Sequence, residues 1–157
     1  MRSTIFICTL MFANLVWANE PGLPREPDLT KVALGQIAKD NNLQLDFHLT
    51  IPASHKLNQG APSFIGVYEK IKDQPWHEVQ RFDLNDFLLT LGAEVSFSKK
   101  IQLQAKDSQV AVHATVYHCG KAKKSMCYIQ GFQGITTRSQ SPQASNKIPF
   151  TITGRNE

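Results

Sequence analysis

The sequence predicts an antiparallel β-sandwich, and three observations carry that expectation. First, Leu43, Leu45, Phe47, Leu49 and Ile51 alternate with Gln44, Asp46, His48 and Thr50, the period-two pattern of a half-buried strand. Second, an alternating run from Val110 ends in Cys119, a short loop containing Gly120 follows, and a second β-rich run begins at Cys127, which reads as a β-hairpin. Third, the remaining apolar runs are short and separated by turn residues, giving seven to nine strands at the spacing typical of a sandwich. No internal repeat is present.

Taken in order, the chain opens on an export signal. Arg2 is a positive n-region, Ile5 to Val16 is an apolar h-region, and Ala18 ends the stretch with a small residue. That pattern matches a cleavable signal peptide over residues 1–18 and is too short for a membrane span. An uncleaved N-terminal anchor is the competing reading. Cys8 lies inside the h-region behind the bulky Ile7, which does not suit a lipid-attachment signal. Cleavage after Ala18 leaves 139 of the 157 residues, enough for one domain with its own core.

Residues 19–28, polar and rich in proline, are expected to be a flexible leader, with the domain over 29–157. Leu29 to Ala38 fits a short helix and equally an edge strand broken by Gly35. Pro52 ends the Leu43–Ile51 strand, because proline cannot donate to a ladder. Ile51 to Ser63 is a turn-rich connection. Phe64 to Ile71 and Glu78 to Leu84 read as strands around a turn at Asp73-Gln74-Pro75. Phe87 to Leu91 reads as a strand or a buried turn. Glu94 to Phe97 and Ile101 to Ala105 read as two strands parted by Ser98-Lys99-Lys100. Beyond the hairpin, Arg138 to Asn146 is a polar loop and Ile148 to Thr153 a last strand.

Charge and motif narrow the function. The formal charge is +4, and it falls to +3 once Arg2 leaves with the signal. This is well short of a nucleic-acid footprint. There is no phosphate-binding loop, no cofactor motif and no second apolar run long enough to span a bilayer. Two cysteines remain after Cys8 is removed, and in an oxidising compartment an even number implies a disulfide. Cys119 and Cys127, facing each other at the hairpin end, are the candidate site. Lys121, Lys123 and Lys124 lie within five residues of Cys119, and nearby positive charge favours the thiolate that exchange needs.

Other clusters are weaker. His118 and His113 with the cysteines suggest a soft-metal set, but His118 and Cys119 are adjacent on one strand and face opposite ways. His48, His55 and His77 stand alone at polar positions and read as solvated. Trp76 reads as core or cap rather than a binding platform. Tyr117 and Tyr128 flank the cysteines and read as a cross-strand aromatic pair.

Two stretches carry a family likeness. IPASHKLNQGAPS (Ile51–Ser63) and the VYHC…MCYI hairpin (Val116–Cys119 and Met126–Ile129) occur in matching order and spacing. In them the chain resembles the N-terminal immunoglobulin-like domain of the thiol:disulfide interchange protein DsbD. It is similar as well to the related β-sandwich found after thioredoxin and NHL-repeat domains. The resemblance spans Leu29 to Thr153. It implies an immunoglobulin-like sandwich, a redox-active Cys119–Cys127 pair and a thioredoxin-like protein partner in the periplasm.

Two functions from different classes stand at this point. One is a periplasmic or secreted thiol–disulfide exchange module, a component of a protein-disulfide oxidoreductase system without a CxxC site. The other is a non-catalytic binding or assembly domain whose disulfide is a staple, stabilising the fold by about 2.5 kcal/mol through closure of a short loop.

Overall fold

The computed structural model describes residues 22–87, 94–122 and 125–154. The expected signal peptide, most of the Phe87–Leu91 segment, and Lys123 and Lys124 fall outside these residues. The described chain is all-β. Its strands are β1 (Leu29–Lys31), β2 (Ile37–Ala38), β3 (Asn42–Thr50), β4 (His55–Leu57), β5 (Phe64–Ile71), β6 (His77–Asp83), β7 (Glu94–Gln102), β8 (Ser108–Gly120), β9 (Cys127–Ser139) and β10 (Lys147–Thr153). A 3-10 turn, Leu84–Phe87, follows β6.

The strands form two sheets. The larger has the order β1-β9-β8-β5-β6, with β2 also on β9 and β4 on β8; the smaller is β10-β3-β7. They share one apolar core. Leu43, Leu45, Phe47, Leu49, Val95, Ile101, Ile148, Phe150 and Ile152 come from the small sheet, and Ile65, Val67, Val110, Val112, Ala114, Val116 and Phe132 from the large one. Within each strand these are alternate residues, which is how the period-two pattern becomes a layer.

The sheets are mixed, where the sequence predicts an antiparallel sandwich. β1 and β2 run parallel to β9, and β10 runs parallel to β3. Alternation reveals which face of a strand is buried but not the direction of its neighbour, so the sequence pattern carries no signal for this. Leu29 to Ala38 contains no helix; it holds the two short strands β1 and β2, with Gly35 between them.

The break expected at Ser98-Lys99-Lys100 is absent, and β7 runs straight through it. Val95, Phe97, Lys99 and Ile101 keep the inward parity. At the edge of the sheet Lys99 reaches out, and its ammonium lies 5.2 Å from the centre of the Phe87 ring. An inward-pointing lysine on an edge strand is a known guard against edge-to-edge pairing.

The stretch expected as a flexible leader is packed from Gly22 to Asp28 across the outer face of the large sheet, the face turned away from the shared core. Leu23 is buried with Tyr68, Trp76 and Ala111. Glu26 is half-buried against His113 and Thr115 of β8: Thr115 Oγ1 donates to one carboxylate oxygen, and His113 Nε2 lies 2.8 Å from the other. Gly131 of β9 makes room, since a Cβ there would sit 2.8 Å from the Glu26 carboxylate and 3.0 Å from Leu29. This strap leads into β1, which pairs with β9 only from Gly131 to Gln133.

Candidate functional site

The site forms at the end of the large sheet that the strap leaves uncovered. β8 and β9 are in register from Gln109↔Thr137 to Cys119↔Cys127. Alternation along β8 puts Ala111, His113, Thr115, Tyr117 and Cys119 on the outer face. The strap covers the first three. Cys119 lies past that cover, with a partner cysteine opposite.

Cys119 and Cys127 form a disulfide with Cα atoms 4.0 Å apart. Gly120 N donates to Met126 O at 3.1 Å just beyond the pair, which makes Cys119 and Cys127 a facing pair without mutual backbone hydrogen bonds, the closely spaced kind. The two sulfur-bearing residues differ in setting. Cys127 is exposed and Cys119 half-buried. Cys127 opens β9 on a length of that strand that β1 does not reach. Cys119 is on an inner strand, between β9 and β4. Around them, Met126 is 69% and Ile129 43% exposed.

β4 is the element that sequence reasoning misses. Its three residues pair with the end of β8 in the register His55↔Gly120, Lys56↔Cys119 and Leu57↔His118. Backbone bonds on either side hold it there: Lys121 N donates to Ser54 O and Asn58 N to Tyr117 O, both at 2.8 Å. Lys56 is exposed while His55 and Leu57 are buried, so Lys56 shares the outer face with Cys119. Only long-range pairing reveals this, since 63 positions of sequence separate the two.

Of the lysines expected near the thiol, Lys121 is engaged elsewhere, donating from Nζ to Ala53 O at 2.7 Å. The histidines also differ from expectation. His55 is not solvated. It is buried, with its ring 5.0 Å from His118 and 5.5 Å from Tyr128 between centroids, and Nδ1 lies 3.1 Å from Ser54 Oγ. His118 is fully buried and stacks on Tyr128 at 5.5 Å. These three rings close the inner face directly beneath the disulfide.

Tyr117 and Tyr128 do not pair with each other. Tyr117 faces Ile129 and Tyr128 faces His118, because the register offsets the tyrosines by one residue and so puts them on opposite faces. His113 belongs to the strap contact. His48 lies on the small sheet, 2.6 Å from Ser96 Oγ through Nδ1 and 3.1 Å from Thr50 Oγ1 through Nε2. His77 Nε2 is 3.7 Å from the buried Glu69 carboxylate. Trp76 is core, as its sequence position suggests. His118 and Cys119 point to opposite faces, and among the described residues no three His, Cys, Asp or Glu side chains converge to hold a metal.

One carboxyl near the face is electrostatically shaped. Burial pushes the Glu26 carboxyl up, but hydrogen bonds from His113 and Thr115 and the attraction of His113 outweigh it and hold the group below the ordinary glutamate range. No protein-family model matches the chain, and no curated protein matches it in sequence.

Proposed function

We propose that the chain is an exported thiol–disulfide exchange module with Cys119 and Cys127 as its couple. The observation that carries the reading is the setting of the pair. The strap roofs Ala111, His113 and Thr115 on the outer face of β8, while the disulfide lies beyond it and one sulfur-bearing residue, Cys127, is exposed. Exchange needs a sulfur that a partner thiolate can reach in line. A staple needs no such access.

In the exchange step, a partner thiolate attacks the Cys127 sulfur, a partner–Cys127 disulfide forms, and the Cys119–Cys127 bond breaks with Cys119 leaving as thiolate. The partner's second thiol loses its proton and attacks its own bridged sulfur, so Cys127 leaves in turn. The partner ends as a disulfide, having given two electrons, and the module ends as two thiols. In reverse, the reduced module reduces a partner disulfide.

The likeness in Ile51–Ser63 and around the cysteine hairpin supports the same reading. It favours an immunoglobulin-like sandwich, a periplasmic location and a thioredoxin-like partner. The signal pattern at residues 1–18 supports export, and N-terminal sequencing of the exported protein should begin at Asn19. A chain still beginning at Met1 would refute export.

Trapping tests the exchange. Cys119→Ala leaves Cys127 to capture a partner without a resolving thiol, so acid-quenched periplasm should yield a reductant-sensitive adduct from this variant. Cys127→Ala should yield far less, and the double variant none. The staple reading predicts no specific adduct from any variant and a loss of about 2–3 kcal/mol from either single one.

A further inference from the structure

We propose that Lys56 is a positioning residue of this couple, its ammonium stabilising the Cys119 thiolate as Cys119 leaves. The inference rests on the exchange reading and assigns a role in it to a residue outside the cysteine hairpin. Lys56 and Cys119 face each other in the β4–β8 ladder, and facing residues on antiparallel strands have Cβ atoms about 4.5–5.5 Å apart. Both lie on the outer face, and the lysine is exposed there. A positive charge about 4–6 Å from an acidic group favours its ionised form. A better-stabilised leaving thiolate departs faster and makes the disulfide a stronger oxidant.

Among the described residues, Lys56 is the cation that directly faces Cys119 in the ladder. From β9 the facing group is Cys127 itself, and along β8 the outer-face neighbour is Tyr117. In the hairpin loop, the Lys121 ammonium is bound to the Ala53 carbonyl, while Lys123 and Lys124 lie outside the described residues. His55, His118 and Tyr128 pack on the inner face, across the sheet from the sulfur. β4 thus has two jobs at this end of the sheet. Its buried His55 and Leu57 fasten it, and the residue between them brings a cation to the disulfide.

The test uses the full chain with Cys8→Ser and Cys127→Ala, so that Cys119 is its lone thiol. Alkylation of Cys119 by iodoacetamide, followed against pH, reports the thiolate. Adding Lys56→Gln should move the inflection to higher pH and slow alkylation at pH 7 by about threefold to tenfold. Lys56→Arg should restore the original profile, which a packing role for the lysine stem does not require. In the intact pair, Lys56→Gln should make the reduction potential more negative.

Overlapping profiles with and without Lys56→Gln, or equal slowing by Lys56→Arg and Lys56→Gln, would overturn the proposal. This measurement involves no partner protein. A normal Lys56 effect with no trapped adduct would therefore reject the exchange function alone, and a trapped adduct with no Lys56 effect would reject Lys56 alone.

Discussion

At the scale of single residues, Glu69 is a buried polar group held by several donors. It is fully buried near the end of β5 and accepts from Gln104 N at 2.9 Å, Ala105 N at 3.1 Å and Ser108 Oγ at 2.6 Å. A buried carboxylate survives only when its oxygens are this well supplied with donors. Hydrogen bonds to a charged group contribute about 1.5–3 kcal/mol. Glu69→Gln should therefore lower the unfolding free energy by about that amount in urea titration, with the m-value unchanged. A change under about half a kcal/mol would contradict the role. Neither Glu69 nor Lys56 is legible in the sequence, because the donors to Glu69 begin 35 positions away and Cys119 lies 63 positions from Lys56. The cysteine pair is legible, because both its members lie on one hairpin and face each other by simple counting. His55 reads as solvated for the same reason that Glu69 is missed. Its surroundings, His118 and Tyr128, arrive only when β4 docks on β8.

At the scale of elements, strands with a complete period-two pattern are readable and short or interrupted ones are not. β3, β5, β6, β8 and β10 fall within a residue or two of expectation. β7 reads as two pieces because Lys99 occupies an inward position that only a sheet edge tolerates. The strap reads as a leader because two anchors, Leu23 and Glu26, stand alone among prolines and polar residues. Its acid response follows from Glu26. The fold holds that carboxyl below its ordinary value near 4.5. The stability it contributes is therefore complete above about pH 4.5 and is lost as pH falls through the lower native value. Trp76 packs against Leu23 of the strap and is the only tryptophan after Ala18. Its fluorescence should show a step below about pH 4.5 that is missing in Glu26→Gln, where the group no longer titrates. An identical acid step in both proteins would show that Glu26 does not govern the strap.

At the scale of the whole molecule, two sheets share one core, and the strap covers Ala111, His113 and Thr115 on the outer face of the larger sheet. Beyond that cover lies the end where β4, β8 and β9 meet, and the disulfide is there. The proposed function depends on whether that end works as a redox couple. The direct measurement is the equilibrium of the Cys119–Cys127 disulfide with glutathione buffers, read by alkylation of the folded protein. An exchange module should have a potential above about −300 mV, within reach of cellular thiol–disulfide proteins. A potential well below about −300 mV would mark a structural staple and contradict the exchange function.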